Sequence, residues 1–154
     1  MSTRLICCGK ASSSMPADLI PYQTHVSKLR GSRYGEVHTR ARHVFRAIER
    51  KTRRRPYVRS AYFGKEKVFF DFFWKHLWQK SPSQRADRLR YLPCALELIE
   101  RSRHAPISKV NPNRPGEVLH RFAGLTTERE LFFVQIKENV RSGRKYLMSV
   151  FPPG

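Results

Sequence analysis

The chain has 154 residues, and its 31 Lys and Arg against 12 Asp and Glu give a formal net charge of +19. An excess of this size opposes compactness unless a polyanion relieves it, and a basic surface binds phosphate backbones without needing a specific motif. A hydrophobic content of 40%, with 12% aromatic residues, excludes full disorder, and the length suits one domain.

The cysteines and the apolar runs bear on the compartment. Cys7 and Cys8 are adjacent and Cys94 is distant, a pattern that predicts neither a disulfide framework nor a zinc site. Even the stretch from Val68 to Trp78 contains charged residues and falls short of the roughly 20 apolar residues of a membrane helix. We therefore expect a cytoplasmic protein with no membrane partner and no secretory signal.

Residues 1–35 have no sustained hydrophobic period and are interrupted by serine, proline and glycine. This composition is typical of tails and linkers. The sequence predicts a flexible basic tail over 1–35 and a single domain over 36–154.

Helical periodicity begins at Glu36. Apolar residues recur at intervals of three and four from Val37 to Ile48, arginines occupy the rest of the circumference, and Pro56 ends the helix. The basic run before this proline has two interpretations. It suits a solvated helix C-terminus, and it equally suits contact with phosphate.

Two further helical regions are predicted. Residues 65–79 are apolar around most of the circumference, which indicates a buried helix. Its aromatic residues could stack on bases, but helical spacing favours a place in the core. Residues 84–102 carry a leucine stripe that Pro93 must divide, with the proline starting the second half.

The sequence becomes strand-like after a proline-rich linker over residues 105–115. Runs over 118–123, 131–137 and 145–151 are rich in β-branched and aromatic residues and are joined by short turns. Short connections favour an antiparallel meander. The predicted fold class is α+β, with N-terminal helices packed on a C-terminal three- to four-stranded antiparallel β-meander.

Two blocks of the chain carry a family resemblance. The first runs from Arg55 to Phe63 (RPYVRSAYF) into the following aromatic region, and the second, from Glu130 to Pro152, contains FVQIKE and KYLMSVFP. Together they resemble the barnase, EndoU, colicin and RelE-like (BECR) nuclease superfamily, in its phage and mobile-element branch. The resemblance spans roughly residues 40–152, and its motifs are not specific.

The resemblance implies a toxin-like, metal-independent RNA endonuclease that cleaves phosphodiester bonds through the 2′-hydroxyl. Its partners would be RNA, including ribosome-associated RNA, and an acidic antitoxin or immunity protein. The alternative is a non-catalytic RNA-binding module of the same fold. Cleavage requires a base, an acid and cations that stabilise the phosphorane, and His, Lys and Arg supply these groups.

Strand parity narrows the choice of candidates. Gln135 and Lys137 share one face of their strand with Ser149 of the next, which predicts either an open site floor or an ordinary solvated face. On the first strand either His120 or Arg121 must share that face, and Arg121 is preferred.

The segment before the aromatic helix supplies the other candidates. Arg59, Lys65 and Lys67 lie where helix amides would add positive potential, and His76 is either an acid–base group or a core residue. The candidate catalytic residues are Arg59, Lys65, His76, Arg121, Lys137 and Ser149. The candidate nucleic-acid-binding residues are Arg53, Arg54, Arg55, Lys67, His120, Gln135, Arg144 and Lys145.

Carboxylates at the spacing of metal ligands are absent from the sequence, so we expect no metal and no cofactor. The spatial arrangement of the candidate residues distinguishes an enzyme from a binding module. An enzyme brings His76, His120, Lys65 or Lys137 close to an arginine in a concave basic site.

Overall fold

The structure, a computed structural model, describes residues 19–154. The strands are β1 (Tyr22–Gln23), β2 (Tyr57–Ser60), β3 (Glu66–Phe69), β4 (Ile107–Val110), β5 (Glu117–Leu125), β6 (Leu131–Asn139) and β7 (Lys145–Phe151). The helices are α1 (Tyr34–Lys51), α2 (Phe73–Trp78), α3 (Pro82–Leu89) and α4 (Leu92–Arg101). Within this part of the chain, no helix is both long and apolar enough to cross a membrane.

One curled, seven-stranded sheet dominates the molecule and forms a half-barrel. The strand order is β1-β5-β6-β7-β3-β2, and β4 pairs with β5 beside β1. The β1–β5 and β3–β7 pairs are parallel, and the remaining pairs are antiparallel.

The predicted fold, with N-terminal helices on a three- to four-stranded antiparallel meander, is therefore wrong. Strands β5, β6 and β7 do form an antiparallel meander, but it is only the centre of a mixed α/β sheet. The hairpin β2–β3, which comes before α2 in the chain, extends the sheet beyond β7 because β3 pairs in parallel with the start of β7. Helices α2 to α4 thus lie between strands in the chain order.

The predicted helix over residues 65–79 is only partly present. Its first part is strand β3, in which Val68 is buried while Lys67 is exposed, and the helix begins at Phe73. A run of consecutive aromatic residues fits either period, and pairing with β2 and β7 decides for the strand. The predicted break at Pro93 is confirmed, since α4 begins at Leu92 with proline in its first turn.

Residues 19–35, which the sequence assigns to a tail, take part in the fold. Strand β1 pairs with β5, and Leu19 and Thr24 are 4% and 2% exposed. A two-residue strand has no periodicity of its own, so the sequence contains no signal for it. The part of the tail prediction that concerns residues 1–18 lies outside the described residues.

Helix α4 lies inside the curl of the sheet and is attached to both of its edges. On the β2 side, the backbone N–H of Ala61 donates to the carbonyl oxygen of Ile99 at 3.0 Å. On the β1 side, the Tyr22 hydroxyl donates to the Glu97 carboxylate at 2.6 Å. Because α4 packs against the concave side, the helices cover one face of the sheet and leave the other open.

Side chains alternate between these two faces. Phe122, Val134 and Val150 share the covered face, where they are at most 4% exposed. We call the opposite side the outer face and define it by the registered side chains Tyr57, Arg59, Lys67, Phe69, Leu119, Arg121, Phe133, Gln135, Lys137, Tyr146, Ser149 and Phe151. Most of these residues are half-buried or exposed.

Candidate nucleic-acid interface

A continuous row of aromatic rings crosses one half of the outer face. Strand register places Tyr57 beside Phe69 and Phe69 beside Tyr146, and their ring centres are 6.0 and 6.1 Å apart. Phe72, just before α2, adds a fourth ring 4.9 Å from Tyr146. We call these four residues the aromatic row. It is half-buried to exposed, so its rings present surface to solvent.

Cationic side chains lie over each end of this row and over its middle. The distances from cation to ring centre are 4.2 Å for Arg55 and Phe69, 4.6 Å for Lys67 and Tyr57, 5.4 Å for Arg59 and Tyr57, and 4.2 Å for Lys137 and Phe72. These are cation–π distances. The arrangement holds positive charge directly beside surfaces on which planar groups can stack.

Two of these cations have carboxylate partners. Arg55 binds Asp71 at 2.7 Å, and this hydrogen bond raises the pKa of the guanidinium. Lys137 lies 3.4 Å from Glu117. Across residues 19–154, Arg59 and Lys67 form no ion pair. Their charge is available to an external anion.

The outer face continues across β5, β6 and β7. Arg121, Gln135 and Ser149 are direct cross-strand neighbours, and the Arg121 guanidinium donates to the Gln135 side-chain oxygen at 3.3 Å. The Arg121 guanidinium also lies 5.3 Å from the centre of the Phe151 ring, which packs 5.6 Å from the ring of Phe133.

A groove with a volume of about 290 Å³ runs beside Arg121 and Phe133, across β4, β5 and β6. Its lining combines apolar residues with polar and charged ones: Leu19, Ile107, Val110, Pro112, Leu119 and Phe133 with Lys109, Arg121 and Gln135. The outer face therefore has an apolar recess at one end and the aromatic row at the other.

The predicted catalytic residues do not form one site. Arg59, Arg121, Lys137 and Ser149 share the outer face, whereas Lys65 lies in the β2–β3 turn.

His76 lies on α2 at the sheet edge, where it lines a small cavity with Arg88 and Ser149. Burial, and then the charges of Lys80 and Arg88, lower the pKa of His76. This environment disfavours the protonated imidazole. Ser149 connects this edge to the outer face.

The predicted binding residues also divide. Arg55, Lys67 and Gln135 lie at the outer face. Arg53, Arg54 and Arg144 are exposed in connecting segments. His120 and Lys145 instead face the covered side, because they register with Ile136 and Glu138.

A charged network surrounds His120 on the covered side. Its Nδ1 lies 2.6 Å from the Ser108 hydroxyl, and its Nε2 lies 2.8 Å from a Glu138 oxygen. Lys145, which is 5% exposed, lies 3.6 Å from Glu138 and also pairs with Glu66. Burying charged groups is costly unless they are paired, and each charged group of this cluster has a partner. Coupled groups of this kind stabilise a fold, and they also occur in catalytic sites.

Sequence reasoning missed several of these residues. It gave no role to Tyr57, Phe69 or Tyr146, although Tyr57 and Phe69 each lie two residues from a basic residue, the spacing that places both on one face of a strand. It also missed Ser108 and Glu138, which become neighbours of His120 only through strand register. Phe69 and Phe72, which helical spacing assigned to the core, lie at the outer face, where Phe69 is half-buried and Phe72 is exposed.

In comparisons with known proteins, the chain matches no family model, no curated protein and no solved structure. The resemblance to the BECR superfamily therefore depends on the two sequence blocks alone.

Proposed function

We propose that this protein binds single-stranded RNA on its outer face. The observation that carries the proposal is the aromatic row with Arg59, Lys67 and Lys137 at cation–π distance from its rings. Aromatic rings on an open sheet, flanked by cations, are what single-stranded nucleic acids require, since bases stack on the rings and phosphates contact the cations.

The free energy of base stacking favours binding of an unpaired strand over a duplex. Each stacked base contributes roughly 1–3 kcal/mol, but a duplex hides its base faces and offers only its phosphates. The outer face also carries Gln135, whose side chain can hydrogen-bond the 2′-hydroxyl that distinguishes RNA from DNA. The net charge of +19 adds a salt-dependent contribution common to all nucleic acids.

Fluorescence anisotropy with a short fluorescent RNA tests this function. We expect the single strand to bind more tightly than the same sequence in a duplex at every salt concentration, and both affinities to fall as salt rises. Tyr57→Leu and Tyr146→Leu should weaken binding of the single strand more than of the duplex. Equal affinity for both forms in the wild type and in these variants would contradict the proposal.

RNA cleavage is a second candidate, favoured by the network around His120. With Glu138 accepting from Nε2–H, the Nδ1 of His120 can take the 2′-hydroxyl proton through the exposed Ser108 hydroxyl, which lies 2.6 Å from it. The 2′-oxygen would then bond to phosphorus as the bond to the 5′-oxygen breaks. The products are a 2′,3′-cyclic phosphate and a 5′-hydroxyl, whose proton comes from water.

This activity is tested by incubating RNA with the protein in EDTA and identifying the new ends. The cleavage proposal expects cyclic phosphate ends, their loss in His120→Asn with unchanged RNA affinity, and little change in His76→Gln. RNA that stays intact while bound rejects cleavage and leaves the binding function standing. Circular dichroism of His120→Asn checks that the variant is folded.

A further inference from the structure

A second basic surface lies beyond the edge of the outer face, where the β2–β3 turn meets the end of α4. It is a wide depression of about 530 Å³, lined by Arg59, Lys65, Arg101 and Arg103 together with Tyr22, Ala61 and Glu100. We call it the basic depression. Its lining holds one carboxylate against four side chains that are positive at neutral pH.

The backbone of the β2–β3 turn fixes part of this surface. Gly64 and Lys65 have φ angles of 65° and 70°, and the backbone N–H of Lys65 donates to the carbonyl oxygen of Ser60. A positive φ is uncommon for lysine. The conformation turns the Lys65 carbonyl toward Arg59, whose guanidinium donates to it at 3.0 Å.

Arg59 connects the basic depression with the aromatic row. The guanidinium that lines the depression also lies 5.4 Å from the centre of the Tyr57 ring. A strand stacked on the aromatic row would therefore reach the depression as it passes the β2 edge of the sheet. The depression lies at the end of this path.

The charges of this surface are not neutralised from within. Over residues 19–154, Arg59, Lys65, Arg101 and Arg103 form no salt bridge with any carboxylate, Glu100 included. Other arginines, such as Arg55 with Asp71, do have a carboxylate partner. The depression therefore favours an anion of high charge density.

We propose that the basic depression binds the terminal phosphate of the RNA strand that lies on the outer face. The inference rests on the proposed RNA-binding function. A phosphate monoester carries about −1.5 to −2 charges at neutral pH, more than the single charge of an internal diester. Guanidinium groups also match its oxygens in bidentate geometry. The surface thus distinguishes the end of a strand from its interior.

The experiment compares three RNAs of one sequence that differ only at their ends: hydroxyls at both ends, a 5′-phosphate, or a 3′-phosphate. We expect one of the phosphorylated forms to bind about tenfold more tightly than the hydroxyl form, and which end is preferred gives the direction of the strand. Affinities within twofold of one another overturn the terminal-phosphate site while leaving RNA binding intact. If none of the RNAs binds, both proposals fail.

Substitutions in the lining test whether the basic depression causes the preference for phosphorylated RNA. Arg103→Ala and Lys65→Gln should abolish most of the preference for phosphate and change the affinity for hydroxyl-ended RNA by less than threefold. Arg46→Ala, which removes an exposed arginine from α1, is the control and should keep the full preference. A preference that survives in both Arg103→Ala and Lys65→Gln would overturn the assignment to this depression.

Discussion

The Nζ atom of Lys137 lies 4.2 Å from the centre of the Phe72 ring, so a residue of β6 covers a residue that precedes α2. The same ring packs against Tyr146 of β7. The end of the aromatic row is thus held from two strands, although Phe72 itself belongs to neither. Phe72 remains 36% exposed and is open to a stacking partner.

Phe72→Leu should weaken binding of single-stranded RNA by about 1–2 kcal/mol, roughly a 5- to 30-fold rise in Kd, because leucine keeps apolar contact but removes the stacking surface. The measurement is fluorescence anisotropy at fixed salt. Trp78→Leu is the matched control, since Trp78 is 52% exposed but lies among the helices. Equal losses in both variants would mean that the outer face is not the binding surface.

Glu97→Gln should destabilise the fold by about 2 kcal/mol at neutral pH, since hydrogen bonds to a buried charge are stronger than neutral ones. The carboxylate accepts bonds from Tyr22 and from the backbone N–H groups of His25 and Val26. Burial by itself would raise the pKa of Glu97, but these bonds outweigh it and lower the pKa to about 2.

The pH dependence follows from this depressed pKa. The stabilisation by Glu97 is complete above its ordinary pKa of 4.5 and is lost as the pH falls toward 2. Urea unfolding of wild type and Glu97→Gln should therefore differ most at neutral pH and converge as the pH approaches 2. Glu100→Gln, an exposed neighbour on α4, should show little difference at any pH. A gap that is independent of pH would contradict this account.

Gly124→Ala should cost about 1–3 kcal/mol of stability, the usual range for overpacking. A Cβ atom at this position of β5 would lie 2.4 Å from the Phe132 ring and 2.9 Å from Leu98 of α4. Both neighbours are buried and have little room to move. Gly116→Ala has no atom within 4 Å of its new Cβ and should leave the thermal midpoint nearly unchanged.

Ser81→Ala should destabilise α3 by about 1 kcal/mol. The Ser81 hydroxyl accepts from the Gln84 backbone N–H, and the Gln84 side chain accepts from the Ser81 backbone N–H, forming a capping box. Ser83→Ala, within the exposed first turn, should be neutral or slightly stabilising. Thermal unfolding that ranks the two variants in the opposite order would contradict the capping role.

Sequence patterns predicted the regular elements better than their assembly. The alternation in β6 and the periodicity from Val37 to Ile48 are strong signals because each element buries one face on its own. The pairing of β3 with β7 and of β1 with β5 depends on residues far apart in the chain, and no local pattern encodes it. The aromatic run around Phe69 and Phe72 fits two periods, so its strand could not be predicted.

The candidate site was predictable only in part, for the same reason. Strand parity placed Lys137, Gln135 and Arg121 on one face, as their register requires. The partners of His120 could not be predicted, because Ser108 lies in a linker-like stretch and joins it only through pairing of β4. The alternation of side chains along one strand can be read from consecutive residues, whereas the pairing of strands depends on residues far apart in the chain.

The attachment of α4 to Ala61 and to Tyr22 has a consequence for cooperativity. In the sheet order β1 and β2 are separated by four other strands, yet both are attached to residues within one turn of α4, Glu97 and Ile99. Loosening that helix releases the first and the last strand of the order together. Amide hydrogens of β1 and β2 should therefore exchange with solvent as one unit, even though the residues never touch.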